Sequence, residues 1–341
     1  MALKVSRRNA EDVRRVLASV GIVDSARTIV EQGDSVILPL VAPPPGQLLQ
    51  DFEHEMLSAD FPLRPARTDP IDDIRRIAEV DDGLKHLLPR KWELLGDVLV
   101  IRLPDELDAY EEQVARAYSE VLGAKTVLRD TGGVTGELRT PVIRKILGSE
   151  TVTIHKENGV LFKLDVSQVM FSSGNVDERI RASKIVCDGE TIVDMFAGIG
   201  YFSIPLAVHG RPRRVIACEL NPVAYAYLVE NTCLNSVEEV VEPVLGDNRD
   251  LKGESIADRI FMGYVKTTHE YLETAVRLLK SKGVLHYHET CPCDLLPDRP
   301  VSRIEEAMNG GDIEVLGMRE VKSYSPGVSH VVVDARIIKP G

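Results

Sequence analysis

The chain has 341 residues, 44% of them hydrophobic and 28% charged, which is the composition of an ordinary globular protein with length for two or three domains. No apolar run approaches the roughly 20 residues a membrane helix needs. The opening Met1-Ala2-Leu3-Lys4-Val5-Ser6-Arg7-Arg8 lacks the apolar core of a secretory signal, so a cytoplasmic protein is expected. Five cysteines argue against a disulfide framework, and a net charge of −12 argues, taken alone, against a nucleic-acid partner.

In chain order, Val13, Val16, Leu17 and Val20 recur at helical spacing, with Gly21 as a stop. Two short strands are expected at 27–31 and 35–40 around Gln32-Gly33-Asp34. Residues 1–42 thus read as a small α/β module. Its first 30 residues carry Lys4, Arg7, Arg8, Arg14, Arg15 and Arg27 against Glu11, Asp12 and Asp24. Pro43-Pro44-Pro45-Gly46 opens a linker taken as 43–69, and no element is assigned within 47–67. Pro70 starts a helix with Ile71, Ile74 and Ile77 on one face. A strand at 97–103, a helix at 107–122 and a strand at 125–130 ended by Gly132-Gly133 follow. Strands at 151–155 and 160–165 flank Lys156-Glu157-Asn158-Gly159, where Asn-Gly signals a hairpin. Residues 70–168 form a mixed α/β middle domain on this reading.

From residue 183 the pattern becomes a regular alternation of strand and helix. Strands are expected at 191–196, 214–219, 240–245, 258–262, 284–288, 313–321 and 330–338, in a mainly parallel sheet covered on both faces. The link Ser323-Tyr324-Ser325-Pro326-Gly327 cannot house a crossover helix, so the last pair is antiparallel. Seven strands with an antiparallel end are the layout of class I S-adenosylmethionine enzymes, a Rossmann-like α/β fold, here over 169–341.

The central motif is Thr191-Ile192-Val193-Asp194-Met195-Phe196-Ala197-Gly198-Ile199-Gly200-Tyr201-Phe202-Ser203, a buried strand, a glycine turn and a helix start. A dinucleotide fingerprint needs a third glycine where Ser203 stands. A carboxylate at Asp194 would repel a pyrophosphate, whereas Glu219 can hold both ribose hydroxyls and Gly246-Asp247-Asn248 can read an adenine amino group. All lie at carboxyl ends of expected parallel strands. Capping is the alternative for both Asp194 and Glu219.

With these motifs assembled, a resemblance becomes specific. Phe171-Ser172-Ser173-Gly174-Asn175-Val176-Asp177-Glu178-Arg179-Ile180-Arg181, residues 194–200 and Glu219-Leu220-Asn221-Pro222 resemble the signature of the superfamily of tRNA guanine-37 N1-methyltransferases and wybutosine-synthesis enzymes. Residues 1–42 are similar to its tRNA-contacting module and 70–168 to its tRNA-gripping domain. The methyl-transferring branch carries Ser-Pro-Arg after the phenylalanine and Asn-Leu-Pro after the fourth strand. Here Gly174 replaces that arginine and Met262-Gly263-Tyr264-Val265 replaces the second motif, as in the wybutosine branch. Residues 263–270 and His286-Tyr287-His288-Glu289-Thr290 resemble that branch too.

The resemblance implies transfer of the 3-amino-3-carboxypropyl group of S-adenosylmethionine to C7 of 4-demethylwyosine at position 37 of phenylalanine tRNA, with release of methylthioadenosine. Methyl transfer to guanine-37 is the alternative. The partner implied is the anticodon loop of tRNA(Phe), met by a monomer. Expected cofactor contacts are Ser172, Arg179, Glu219, Leu220, Asp247 and Asn248, with Asp194, Phe196 and Gly198 from the glycine turn. Aiming the amino-acid arm at the base requires a new partner for its carboxylate, for which Arg179 and Ser172 are candidates. The alternative for Arg179 is a surface ion pair with Glu178 or Asp177.

Asn175, Tyr264 and His269 are catalytic candidates, and no side chain stands out as general base. Asn175 reads equally as a turn residue and His269 as an outward helix position. His286 and His288 share a strand face and could converge with Cys291 and Cys293 on a metal, but Cys-x-Cys lacks the usual two-residue spacing and the sulfonium chemistry needs none, so no metal is expected. Tyr264, Tyr287 and Tyr324 are candidates to receive an unstacked base, and the basic groups of 1–30 and 139–145 to hold tRNA phosphates.

Overall fold

In the computed structural model, which describes residues 1–50, 52–64, 69–136 and 138–340, the chain forms two units, Met1–Asp69 and Pro70–Gly341. The first contains β1 (Ala2–Ser6), α1 (Ala10–Ser19), β2 (Val30–Gln32), β3 (Ser35–Pro39) and β4 (His54–Leu57). Its sheet runs β2-β3-β1-β4, with β1 antiparallel to both neighbours. Val13 and Leu17 of α1 pack on Leu3, Val5, Val36, Leu38 and Leu49. The expected linker is therefore largely part of this unit. Leu49 is buried in its core and β4 pairs with β1 from Ala2↔Leu57 to Val5↔His54. Neither strand is expected from sequence: His54-Glu55-Met56-Leu57 is an exposed edge with no apolar alternation.

The second unit opens with α2 (Pro70–Ile77), β5 (Trp92–Leu95), β6 (Val98–Ile101), α3 (Glu111–Leu122), β7 (Thr126–Thr135) and β8 (Thr140–Leu147). The sheet β5-β6-β7-β8 packs against α2 and α3 through Ile71, Ile74, Val114 and Tyr118. Gly132-Gly133 does not end β7. The register with β8 slips between Asp130 and Gly133, and Asp130 Oδ1 accepts from the Gly132 and Gly133 amides at 3.1 and 2.6 Å. The glycines form a bulge, and the strand runs on.

Next comes the hairpin β9 (Val152–Glu157) and β10 (Val160–Asp165), turned at Asn158 and Gly159 with φ of 47° and 80°. Then follow α4 (Val176–Ser183), β11 (Thr191–Asp194), α5 (Ser203–Gly210), β12 (Arg214–Glu219), α6 (Pro222–Leu234), β13 (Val241–Leu245), β14 (Ala257–Met262), α7 (Leu272–Leu278), β15 (Leu279–Pro292), α8 (Asp298–Met308), β16 (Asp312–Ser325) and β17 (Val328–Ile338). The seven-stranded sheet runs β13-β12-β11-β14-β15-β17-β16, parallel except for β17, which is antiparallel to both neighbours. Successive residues of its buried strands face opposite cores. Ile192 packs with Ile204 and Leu228, and Val193 with Leu272, Ile304 and Met308.

Residue 168 does not separate two cores. Leu95, Val98, Leu128 and Phe162 share one cluster with Ile192 and Leu228. The outer edge of β10 is closed by side chains of α6: Asn235 bonds the Leu161 amide and carbonyl at 2.9 and 2.7 Å, and Asn231 those of Lys163 at 2.7 and 3.1 Å. Two carboxamides thus complete a strand ladder. The β16–β17 hairpin is longer than expected and turns at Pro326-Gly327, which places Lys322, Tyr324 and His330 on the cavity described next.

Candidate active site

The turn after β11 is held by Asp194. This buried carboxyl accepts from Ser203 Oγ at 2.6 Å through Oδ2 and from the Phe196 amide at 3.3 Å through Oδ1. Burial pushes its pKa up to about 6, against the pull of those donors. Gly198 and Gly200 have φ of 59° and 103°, and a Cβ on them would lie 2.4 Å from the Tyr201 ring and from Ile204 Cδ1. Asp194 lies behind the turn and does not line the cavity, so its place is that of a loop organiser; the other three residues expected in and beside this turn, Phe196, Gly198 and Glu219, do line it.

The cavity, about 560 Å³, opens at the carboxyl ends of β11, β12, β13 and β14. Glu219 is fixed at its edge: Oε2 accepts from the Gly198 amide and Oε1 from the Asn221 amide, both at 2.7 Å. Burial raises its pKa while these amides oppose the rise. Each oxygen keeps capacity for one more donor, which matches a ribose diol. Asn248 donates through Nδ2 to the Met195 carbonyl at 2.8 Å, which orients the amide and leaves Oδ1 buried without a partner among the described residues. An orphaned acceptor there fits an amino group of a purine. Asp247 accepts from the Arg249 amide at 2.9 Å and from its guanidinium, which holds the carboxyl below its usual range. Leu220, partly exposed, adds apolar surface beside them.

The opposite end is built around the loop before α4. Arg179 is neither a surface ion pair nor a bare cation. It is 3% exposed, bonds Glu157 of β9 through Nε and NH2 at 2.7 and 2.6 Å, donates to the Ser172 carbonyl at 2.8 Å, and lies 4.7 Å from the Phe171 ring centre. Glu157 sits in the hairpin turn signal, where sequence gives no hint of such a role. The Ser172 hydroxyl accepts instead from Lys322 Nζ at 3.1 Å. Asn175 lines the cavity with Oδ1 buried and without a partner among the described residues. Tyr264 stacks on Phe196 at 5.2 Å, and the Arg139 guanidinium lies 5.6 Å from its ring centre. Arg139, expected to face phosphates, thus lines the cavity, while Arg144 pairs with Glu111.

Two expected residues lie elsewhere. His269 is not on the lining, because the 3-10 turn Thr268–Tyr271 directs Glu270 and Tyr271 there instead. Tyr287 is fully buried and donates to Glu289 Oε2 at 2.7 Å, whereas Tyr324 is half-exposed on the lining. His286 is enclosed by Arg259 and Asp334, and His288 Nδ1 meets His330 Nε2 at 3.0 Å. Of the three histidines only His330 lines the cavity, and burial lowers its pKa to about 4, so its imidazole is neutral at pH 7. Lys322 and His330 were missed because an alternating strand shows which residues share a face, not what that face meets.

A seven-stranded sheet of this order, with a glycine turn after its first strand and acidic or amide groups after its second and third, defines a class I S-adenosylmethionine-dependent transferase. Residues 153–316 match the family model described as the TRM5/TYW2 methyltransferase domain, 75–151 the TYW2 N-terminal domain, and 2–48 the tRNA methyltransferase 5 N-terminal domain. The chain belongs to the TRM5/TYW2 family. It is 46% identical over 263 residues, 76% of its length, to a Pyrococcus horikoshii protein named tRNA(Phe) (4-demethylwyosine(37)-C(7)) aminocarboxypropyltransferase, of which it covers 94%. It is 37% identical to the tRNA (guanine(37)-N(1))-methyltransferase Trm5b of Pyrococcus abyssi, with 99% of each chain covered. The crystal structure of P. horikoshii TYW2 in complex with MeSAdo superposes with a TM-score of 0.72 at 44% identity, over 79% of this chain and all of the other.

Proposed function

We propose that the chain transfers the 3-amino-3-carboxypropyl group of S-adenosylmethionine to C7 of 4-demethylwyosine at position 37 of tRNA(Phe). One observation carries this reading: a single cavity reaches from Glu219 and Asn248, whose free acceptors suit a ribose and a purine, to an aromatic end at Tyr264 and Tyr324, in a chain 46% identical to an enzyme named for this transfer. S-adenosylmethionine bound there would supply an electrophilic γ-carbon with methylthioadenosine as its leaving group, and the proton displaced from C7 would pass to water.

The protein's part is alignment. Glu219, pinned by two amides, holds the ribose, and the Asn248 acceptor fixes the purine. The stack of Phe196, Tyr264 and Arg139 gives the modified base a flat surface once it has left its own stack in the anticodon loop. His330 presents a neutral imidazole to the same cavity. Exposed cations of the first unit, such as Arg7, Arg14 and Arg15, sit in weak surface pairs with Glu31, Glu11 and Asp12, which phosphates can displace. On this reading the protein is a cytoplasmic monomer.

The test is the nucleoside by-product formed from S-adenosylmethionine and tRNA(Phe) carrying 4-demethylwyosine. Methylthioadenosine is expected. S-adenosylhomocysteine in its place, with methylated guanine-37 on unmodified tRNA, would overturn the reading in favour of methyl transfer.

A further inference from the structure

We propose that Lys322 receives the carboxylate of the donor's amino-acid arm and so determines which carbon of the sulfonium faces the base; this rests on the transfer proposed above. Lys322 projects from β16, the outermost strand of the sheet. An ammonium on an edge strand normally extends into water. This one is half-buried against the loop before α4, lines the cavity, and has Nζ 3.1 Å from Ser172 Oγ.

Three features mark it as waiting for an anion. First, its partner is a neutral hydroxyl, and no carboxylate among the described residues pairs with Nζ. The nearby Glu93 is engaged by Ser173 Oγ at 2.7 Å. Of the two other cations near it, Arg179 is already neutralised by two bonds to Glu157, and Arg139 is turned to the Tyr264 ring and donates to Met170 Sδ at 3.2 Å. Second, room is reserved for it. A Cβ at Gly174 would lie 3.1 Å from Nζ and 3.3 Å from Cδ, so a side chain at 174 would compete for the lysine's position. Third, a half-buried ammonium is costly: burial lowers its pKa, and nearby Arg139 and Arg179 lower it further, against the opposing charge of Glu93.

The donor supplies the missing charge. With the neutral ribose at Glu219 and the neutral purine at Asn248, its one anionic group, the α-carboxylate, is left to the arm. The cation stands with Ser172 at the other end of the same cavity, where a charge-assisted bond would swing the arm. Arg179 then acts as support: it fixes the Ser172 backbone and leaves the carboxylate to Lys322.

The test compares two ligands that differ by the arm. S-adenosylmethionine and methylthioadenosine are titrated calorimetrically into wild type, Lys322→Met and Lys322→Arg. Lys322→Met is expected to weaken S-adenosylmethionine about 10- to 100-fold and leave methylthioadenosine unchanged, with Lys322→Arg close to wild type. Unchanged methylthioadenosine affinity also shows that the site is folded. Equal losses for both ligands, or no loss for either, overturn the proposal. So does loss of tRNA affinity with the two nucleoside affinities unaltered, which would assign the ammonium to a phosphate. The by-product of the wild-type enzyme is a separate readout: if it is S-adenosylhomocysteine, the transfer fails as a reading while the ligand comparison still decides the carboxylate contact.

Discussion

At the scale of single residues, position in the sequence pattern was informative and direction was not. Asp194 and Glu219 both end expected strands, yet one turns inward to Ser203 and the other outward to the cavity. Asn248 was legible as a cavity residue because it follows the third strand. The partner of Arg179 was not, because Glu157 lies 22 residues upstream on a hairpin brought near only by folding. The inward turn of Asp194 has a measurable consequence. Its native pKa of about 6 lies above the ordinary carboxyl value, so the folded state keeps the proton to higher pH than the unfolded chain does. Stability is therefore lost as pH rises from about 4 through about 6. Asp194→Asn keeps an acceptor for Phe196 and a donor for Ser203 and removes the charge. The stability of the variant relative to wild type should rise between pH 4 and pH 7 by on the order of 3 kcal/mol in denaturant melts. A pH-independent difference would show that the carboxyl ionises there without cost.

At the scale of elements, the parallel sheet and the Asn-Gly hairpin were readable because both rest on local rules, periodicity and turn chemistry. The failures came where a local rule was answered by distant chain. Gly132-Gly133 has the composition of a stop, but β8 supplies pairing across it and converts it into a bulge. β1 and β4 are short, and pairing makes them strands: β1 with β3 and β4, and β4 with β1. The junction of β10 with α6 shows the same thing in energetic form. Asn231 is fully buried, and besides the Lys163 amide and carbonyl it donates to the Ile199 carbonyl at 3.1 Å. Asn231→Leu, which keeps the branching at Cγ but replaces the amide by two methyls, would strand these backbone groups away from water. A loss of about 2–4 kcal/mol is expected in urea unfolding. A loss below about 0.5 kcal/mol would mean that the edge of β10 finds other donors.

At the scale of the whole molecule, a chain of net charge −12 meets a polyanion only through a local excess of cations. The basic residues of 1–30 are such an excess; the unit that contains them, Met1–Asp69, carries 8 Lys and Arg against 10 Asp and Glu, so the excess is confined to its first 30 residues. Pro70–Gly341 contains 272 of the 341 residues, and the P. horikoshii structure matches 79% of the chain over its own full length. That P. horikoshii protein is described in complex with MeSAdo, which motivates a test of the second unit by itself. A chain beginning at Pro70 should bind S-adenosylmethionine as the full chain does and release the same by-product at saturating tRNA. Its deficit should lie in the KM for tRNA, raised about tenfold or more at low salt. The gap should close as salt is added, because contacts made by Arg7, Arg14 and Arg15 to phosphates are the ones that counter-ions replace. Donor affinity lost together with tRNA affinity would show that the first unit supports the fold of the second. A KM that is unchanged at every ionic strength would show that the anticodon loop is gripped by the catalytic unit alone, and the cations of the first unit would then have no part in holding RNA.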